Sequence, residues 1–306
     1  MNKYQKDLDV FLDFMFKTHP YYVEASRQKE INREELSRKA SLCKTDSGFA
    51  KIINDAVSYL NDKHTGVFDP SDKPKKNFGS VLNKGTLVSP HNSIFDYTIL
   101  EEESICYMQF NHCKDSRTRK DNTLPRFDKF LDEMFKEINS LKIKTLVIDV
   151  QYNSGGNSRL CDELLSYLTK SLKLFSVYVR KGNTLNKVSV HDKININRSK
   201  IYEGNVVFIQ GQDTYSSAAM LIVLARDNKI GTIIGDKSTF PASHFGEVVE
   251  LQLPNTGLFS ICSRKYFERP DKSKINEKTI YPDILIDTSN KKALQDYIIK
   301  TYGKTR

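Results

Sequence analysis

No Cys-x-x-Cys pair occurs in this chain of 306 residues, and its five cysteines, Cys43, Cys106, Cys113, Cys161 and Cys262, are an odd number. Several of them lie inside apolar runs, which argues against a disulfide framework and for reduced, buried thiols. Also missing is an apolar run long enough to cross a bilayer. The opening residues, Met1 to Asp7, lack the apolar core of a signal peptide, so a cytoplasmic location is the expectation. There is no internal repeat and no low-complexity tract. Neither sign of charge is scarce: Lys and Arg exceed Asp and Glu by 47 to 38, for a net charge of +9. The excess is spread along the chain, with modest clusters over residues 73–76 and 114–120. Neither cluster is interleaved with aromatics as in a nucleic-acid module. A solvated basic surface is therefore expected, with no nucleic-acid partner and a weak bias toward acidic substrates.

What is present divides by periodicity. Over residues 7–60 the apolar positions recur at helix spacing, as in Leu8, Phe11, Leu12, Met15 and Phe16, and His19-Pro20 ends the first element. Residues 31–42 and 49–60 supply two more amphipathic segments, so residues 1–66 are expected to form a small helical bundle. His64 then falls on a loop just past its last helix. Residues 67–103 read as a connecting or cap segment. Its portion 69–92 is rich in Pro, Lys, Gly and Ser and suits an exposed connection with a short hairpin. Residues 104–306 alternate strand and helix. Strands are expected at 104–110, 144–150, 175–180, 206–210 and 232–235, with helices at 126–141, 159–172 and 216–226. Such alternation implies a mostly parallel sheet covered by helices, an α/β core. Two further strands, 247–253 and 258–263, flank a turn, and a closing helix spans 293–302.

Three places carry chemistry. Residues 206–220 read as strand, tight turn and helix, which lifts Ser216 out of the sheet edge and leaves the first helical amides without intrahelical partners. Ser216 is the candidate nucleophile and the N–H of Ser217 a candidate oxyanion donor. The same residues, with Thr214, also suit a plain helix cap. Gly155-Gly156 follows another buried strand; two glycines there permit positive φ and let an amide point at a ligand, although a glycine turn into a helix needs no ligand. The third place is His64, a side chain that titrates near neutrality and so suits a general base. The remaining histidines, His19, His91, His112, His191 and His244, have no better motif than being polar or loop-like.

Taken in order, Asp62-Lys63-His64-Thr65, the run from Leu146 to Gly156, Thr214-Tyr215-Ser216-Ser217-Ala218, Ile234-Gly235-Asp236, Leu253-Pro254-Asn255 and Tyr281-Pro282-Asp283-Ile284 resemble the tail-specific (C-terminal processing) protease and tricorn-core serine peptidase family. No single motif is specific; the ordered combination is, and it covers most of the chain. The resemblance implies a core of the ClpP and crotonase type and peptide-bond hydrolysis through an acyl-enzyme. It places the nucleophile on Ser216 and the oxyanion amides on Gly155 or Gly156 and on Ser217. The processing-protease branch draws its base from a lysine in a Thr-Phe-Gly-Lys segment. Here that segment is Ser238-Thr239-Phe240-Pro241, and Lys237 lies nearby but out of place. The tricorn-type branch uses the histidine of Asp-x-His-Thr, which is His64. Its outer tetrad members are a serine, here replaced by Lys63, and a glutamate, for which Glu277 stands close, with Asp283 as an outside candidate.

The expected activity is thus that of a serine peptidase acting on a peptide or protein, with Ser216, His64 and Glu277 as catalytic residues and no metal or cofactor. Too little chain separates His64 from Ser104 for the PDZ module of many relatives, so selectivity for protein tails is not implied. The resemblance leaves an oligomer open. Two alternatives stand beside this reading: a Ser216 and Lys237 dyad, and a catalytically silent relative that binds peptide or an apolar ligand.

Overall fold

The computed structural model describes residues 1–68, 93–119, 122–188 and 201–304. The connection expected over 69–92, with its hairpin and the basic cluster 73–76, lies outside the described residues, as do His91, His191 and Lys120 at the end of the second basic cluster. In chain order the elements are α1 (Lys3–Thr18), α2 (Arg33–Ser41), α3 (Asp46–Val57), β1 (Gly66–Phe68), β2 (Phe95–Leu100), β3 (Ile105–Phe110), α4 (Ser116–Arg119), α5 (Phe127–Ser140) and β4 (Thr145–Asp149). They continue with α6 (Arg159–Leu165), β5 (Ser176–Lys181), β6 (Thr184–Val188), β7 (Asn205–Gln210), α7 (Ser217–Asp227), β8 (Thr232–Gly235), β9 (His244–Gln252), β10 (Phe259–Glu268), β11 (Ile284–Leu285) and α8 (Lys291–Tyr302). Contacts divide them into two compact units, one of α1–α3 with β1, β5, β6, β9 and β10, the other of the remaining elements. This grouping differs from the boundaries expected from sequence, because four strands from inside the stretch read as one core join the helical start.

In the first unit α1 begins at a reciprocal cap, the Asn2 side chain accepting from Gln5 N–H while the Gln5 side chain accepts from Asn2 N–H. It ends at His19, held in extended backbone by the proline that follows. Thr45 caps α3, and the chain leaves the helical turn after it through Asn61 in the left-handed region. The apolar faces of the three helices meet in one core around Phe11, Leu12, Phe49 and Ile53, which also takes in Leu253, Leu258 and Cys262. These helices lie against an antiparallel sheet ordered β1-β10-β5-β6, with β9 on the other side of β10. The run 175–180, expected among the parallel strands, pairs antiparallel with β10 instead. A strand-length apolar run does not say which sheet it will join. Buried Asp7 of α1 caps the β9–β10 turn, accepting from Asn255 Nδ2 and from the N–H and hydroxyl of Thr256, each at 2.7 Å.

The second unit is a six-stranded sheet ordered β11-β8-β7-β4-β3-β2, parallel throughout except for the β2–β3 hairpin. Every residue of β3 and β4 is buried, as strands covered on both faces require. Ile105, Val147, Val207, Ile209 and Ile234 pack on one face with Leu294 and Ile298 of α8. This is the helix-covered α/β sheet that the strand and helix alternation implies. The five cysteines are free thiols, and all but Cys43 are buried. Among the described residues no helix is long and apolar enough to cross a membrane.

Candidate active site

β4 and β7 are neighbouring parallel strands, with Asp149 beside Ile209, so the turns that leave their C-terminal ends emerge together. A short set of bonds fastens one turn to the other. Thr214 Oγ1 accepts from Gly211 N–H at 2.9 Å and donates to the Val150 carbonyl at 2.9 Å, and Tyr215 N–H donates to the Asn153 carbonyl at 2.9 Å. Ser217 Oγ donates to the Gly156 carbonyl at 2.7 Å. Ser217 therefore holds the glycine turn through its side chain, a role separate from that of its amide.

Ser216 sits at the bend between β7 and α7 with φ 51° and ψ −124°. For a residue with a Cβ this is strained backbone, worth about 1–3 kcal/mol, and it persists only where the surroundings impose it. Strain at a strand-to-helix elbow presents the side chain clear of both elements. Ser216 is half-buried. The glycine turn comes so close that a Cβ on Gly155 would lie 2.7 Å from Ser216 Cβ and 2.9 Å from Ser217 N, at a φ of +88° that side chains rarely adopt. Close approach is thus what demands glycine at 155.

The two glycine amides are not equivalent. Gly155 N–H donates to Asn153 Oδ1 at 2.8 Å, and Asn153 in turn donates from Nδ2 to the Phe110 carbonyl at 2.8 Å. Among the described residues the N–H groups of Gly156 and Ser217 have no acceptor within the protein. Gly156 is exposed, and Ser217 N–H is the first amide of α7, where the helix dipole adds its positive end. Of the pair Gly155 or Gly156, the amide left without an acceptor among the described residues is that of Gly156.

Behind the turn lies a buried network that sequence reading did not find. Asp149 accepts from Gln151 N–H at 2.9 Å, from Gln151 Nε2 at 2.6 Å and from the Tyr107 hydroxyl. Lys291 donates to Gln151 Oε1 at 2.7 Å and to the Tyr152 hydroxyl. Burial pushes the Asp149 carboxyl up and the Lys291 ammonium down, because both charged forms lose water. Asp149 falls inside the strand expected over 144–150 and ends the observed one. Lys291 lies 142 positions later in the chain than Asp149, and no local pattern joins them.

In the first unit, His64 is 16% exposed at the side chain and its Nδ1 lies 3.1 Å from the Phe245 carbonyl. A carbonyl only accepts, so Nδ1 carries the proton and Nε2 is the basic nitrogen. Asp62 Oδ1 accepts from His64 N–H at 2.9 Å and stands 3.7 Å from Nδ1. His19, with no motif of its own, lies behind Asp62, its Nε2 3.1 Å from Oδ2.

The carboxylates expected as outer residues have partners within the second unit. Glu277 Oε2 accepts from Arg269 Nη1 at 2.7 Å and from Arg226 Nη1 at 3.3 Å, so this carboxylate serves an arginine cluster. Asp283 accepts from Ile233 N–H at 2.8 Å and joins its segment to β8. Lys237 is exposed, with its ammonium 5.1 Å from the centre of the Tyr281 ring, and lacks the burial that turns a lysine into a base. His244 is buried and stacks on Phe267 with ring centres 5.2 Å apart, and His112 is half-buried.

The second unit is thus a helix-covered α/β sheet that carries a serine elbow against a double-glycine turn. Residues 104–286 match the model of Peptidase family S41, and the chain belongs to that family. Its fold is similar to that of a peptidase from Parabacteroides merdae, with 17% identity, a TM-score of 0.62 and coverage of 96% of this chain and 93% of that one. It is also similar to the photosystem II D1 C-terminal processing protease, with 11% identity, a TM-score of 0.56 and coverage of 99% and 98%. The tricorn protease matches at 11% identity and a TM-score of 0.53, over 97% of this chain and 36% of that one. No curated protein sequence matches the chain. The protein is a peptidase by family, and identities this low carry the fold alone.

Proposed function

We propose that the protein is a serine peptidase that cleaves peptide bonds through an acyl-enzyme on Ser216, with His64 as general base. The observation that carries this reading is the strained Ser216 elbow with two amides, Gly156 and Ser217, beside it and without acceptors among the described residues. His64 Nε2 takes the hydroxyl proton as Ser216 Oγ bonds to the peptide carbonyl carbon. The carbonyl electrons move onto oxygen, where the two amides hold the charge. Collapse breaks the C–N bond; the amine leaves with the proton from His64, and the acyl group stays on Oγ as an ester. Water then repeats the sequence and releases the acid. The contacts of Glu277 support a structural role in the arginine cluster, so it is not part of this proposal.

The test is labelling with a fluorophosphonate at neutral pH, read by intact mass and peptide mapping, on wild type, Ser216→Ala, His64→Ala and Lys237→Ala. Labelling of Ser216 that persists only in wild type and Lys237→Ala is the expected result. Loss in Lys237→Ala with retention in His64→Ala would transfer the base to the lysine. A folded wild type that takes no label, but binds peptide saturably without turnover, would make the protein a silent relative.

A further inference from the structure

Asp62 is a buried carboxylate, and buried charge without compensation is costly. Its side chain is 1% exposed and that of His19 is fully buried. The compensation comes from a ring of donors: Thr65 Oγ1 at 2.6 Å and His19 Nε2 at 3.1 Å on Oδ2, and His64 N–H at 2.9 Å on Oδ1. Burial alone would push this carboxyl up; the bonds from His19, His64 and Thr65 outweigh it and hold Asp62 well below the usual carboxylate range.

The tautomers of both histidines follow from their fixed partners. His19 Nδ1 accepts from Tyr21 N–H at 3.1 Å, so it carries no proton, and the proton of neutral His19 is on Nε2, facing Asp62. Ring packing keeps it there, with Phe245 4.5 Å and Tyr22 5.9 Å away between ring centres. The Phe245 residue that packs on His19 also accepts from His64 Nδ1 through its carbonyl. One residue of β9 thus aligns both imidazoles. Among the described residues, Cys262 of β10, whose thiol burial pushes up, and Arg180 of β5, which donates to the His19 carbonyl at 3.2 Å, also face this arm.

We infer that Asp62, locked in place by His19 and Thr65, is the positioning carboxylate for His64, acting on the imidazolium through charge at 3.7 Å while the Phe245 carbonyl fixes the ring. His19 is a brace, its Nδ1 accepting from Tyr21 N–H and its Nε2 facing Asp62. The kinetic part of this inference rests on the Ser216 and His64 reading; the tautomer part does not.

The experiment is long-range proton–nitrogen NMR on protein labelled with 15N-histidine, titrated across the pH range of stability, with fluorophosphonate labelling rates measured on the same samples. In wild type His64 is expected as the Nδ1–H tautomer and His19 as the Nε2–H tautomer. Asp62→Asn should move the His64 titration and the acid limb of the labelling rate to lower pH by about 1 unit, because the imidazolium loses its anion. It should also slow labelling by about 100-fold or more. His19→Gln, whose amide reaches the place of Nε2–H, should label within about threefold of wild type, whereas His19→Phe should lose at least tenfold. A wild-type His64 found as the Nε2–H tautomer would overturn the inference without any variant. So would a His64 titration unmoved in folded Asp62→Asn. A shifted titration in a protein that never takes the label would sustain the arm and sink the peptidase reading instead.

Discussion

The two units each bury an aspartate, and the two aspartates behave oppositely. Asp62 in the first unit is held below the usual carboxylate range, and Asp149 in the second is pushed above it. Burial is the largest influence on both and raises both. Three donors reach each carboxylate, so a count of bonds does not explain the difference. Asp149 lies at the end of a strand buried on both faces and is fully enclosed, so desolvation wins. Asp62 lies in a loop and is bonded by two histidines and a threonine, so the bonds win. The balance between water lost and donors gained decides whether a buried acid is an anion; depth alone does not.

The largest effect should come from breaking a charge pair in the second unit. Arg269 is fully buried and donates to Asp227 Oδ1 at 2.6 Å and Oδ2 at 3.1 Å. Arg269→Leu strands the equally buried Asp227, and urea unfolding should show a loss of about 3–5 kcal/mol. A loss under 1 kcal/mol would mean that water reaches Asp227 when the arginine goes.

Next come the glycines. In the second unit Gly155→Ala drives a Cβ to 2.7 Å from Ser216 Cβ, and labelling of Ser216 should slow by at least a hundredfold, about 3 kcal/mol. In the first unit Gly182 has φ +60° in the β5–β6 turn with nothing within 4 Å of a built Cβ. Gly182→Ala should cost only the left-handed backbone, about 1 kcal/mol of stability, and leave labelling unchanged.

The two aspartates give the finest test, because their signs differ. Asp149 has a raised folded-state value, so its contribution to stability is complete below the unfolded value of about 3.9 and is lost as pH rises through the folded one. Asp62 has a lowered value, so its contribution is present above about 3.9 and is lost as pH falls through the folded one. Urea midpoints across pH should show Asp149→Asn gaining on wild type as pH rises. Asp62→Asn should lag behind wild type at neutrality and close the gap in acid. Slopes of the same sign would remove the contrast between the units.

Much of this was legible in the chain. The helical face from Leu8 to Phe16, the buried strand ending at Asp149, the double glycine and the Ser216 elbow each write their structure in local periodicity or turn chemistry, and their order identifies the family. These are near-neighbour effects, so sequence determines them. The sheet that β5 joins depends on distant β10, and the amide that Asn153 withdraws from Gly155 and the commitment of Glu277 to Arg269 depend on exact local geometry, so only packing decided them. His19 is the clearest case. Forty-three positions separate it from Asp62, and nothing in its neighbours marks it. The folded chain brings it to a buried carboxylate that must be hydrogen-bonded, and that requirement, absent from any linear pattern, gives His19 its place.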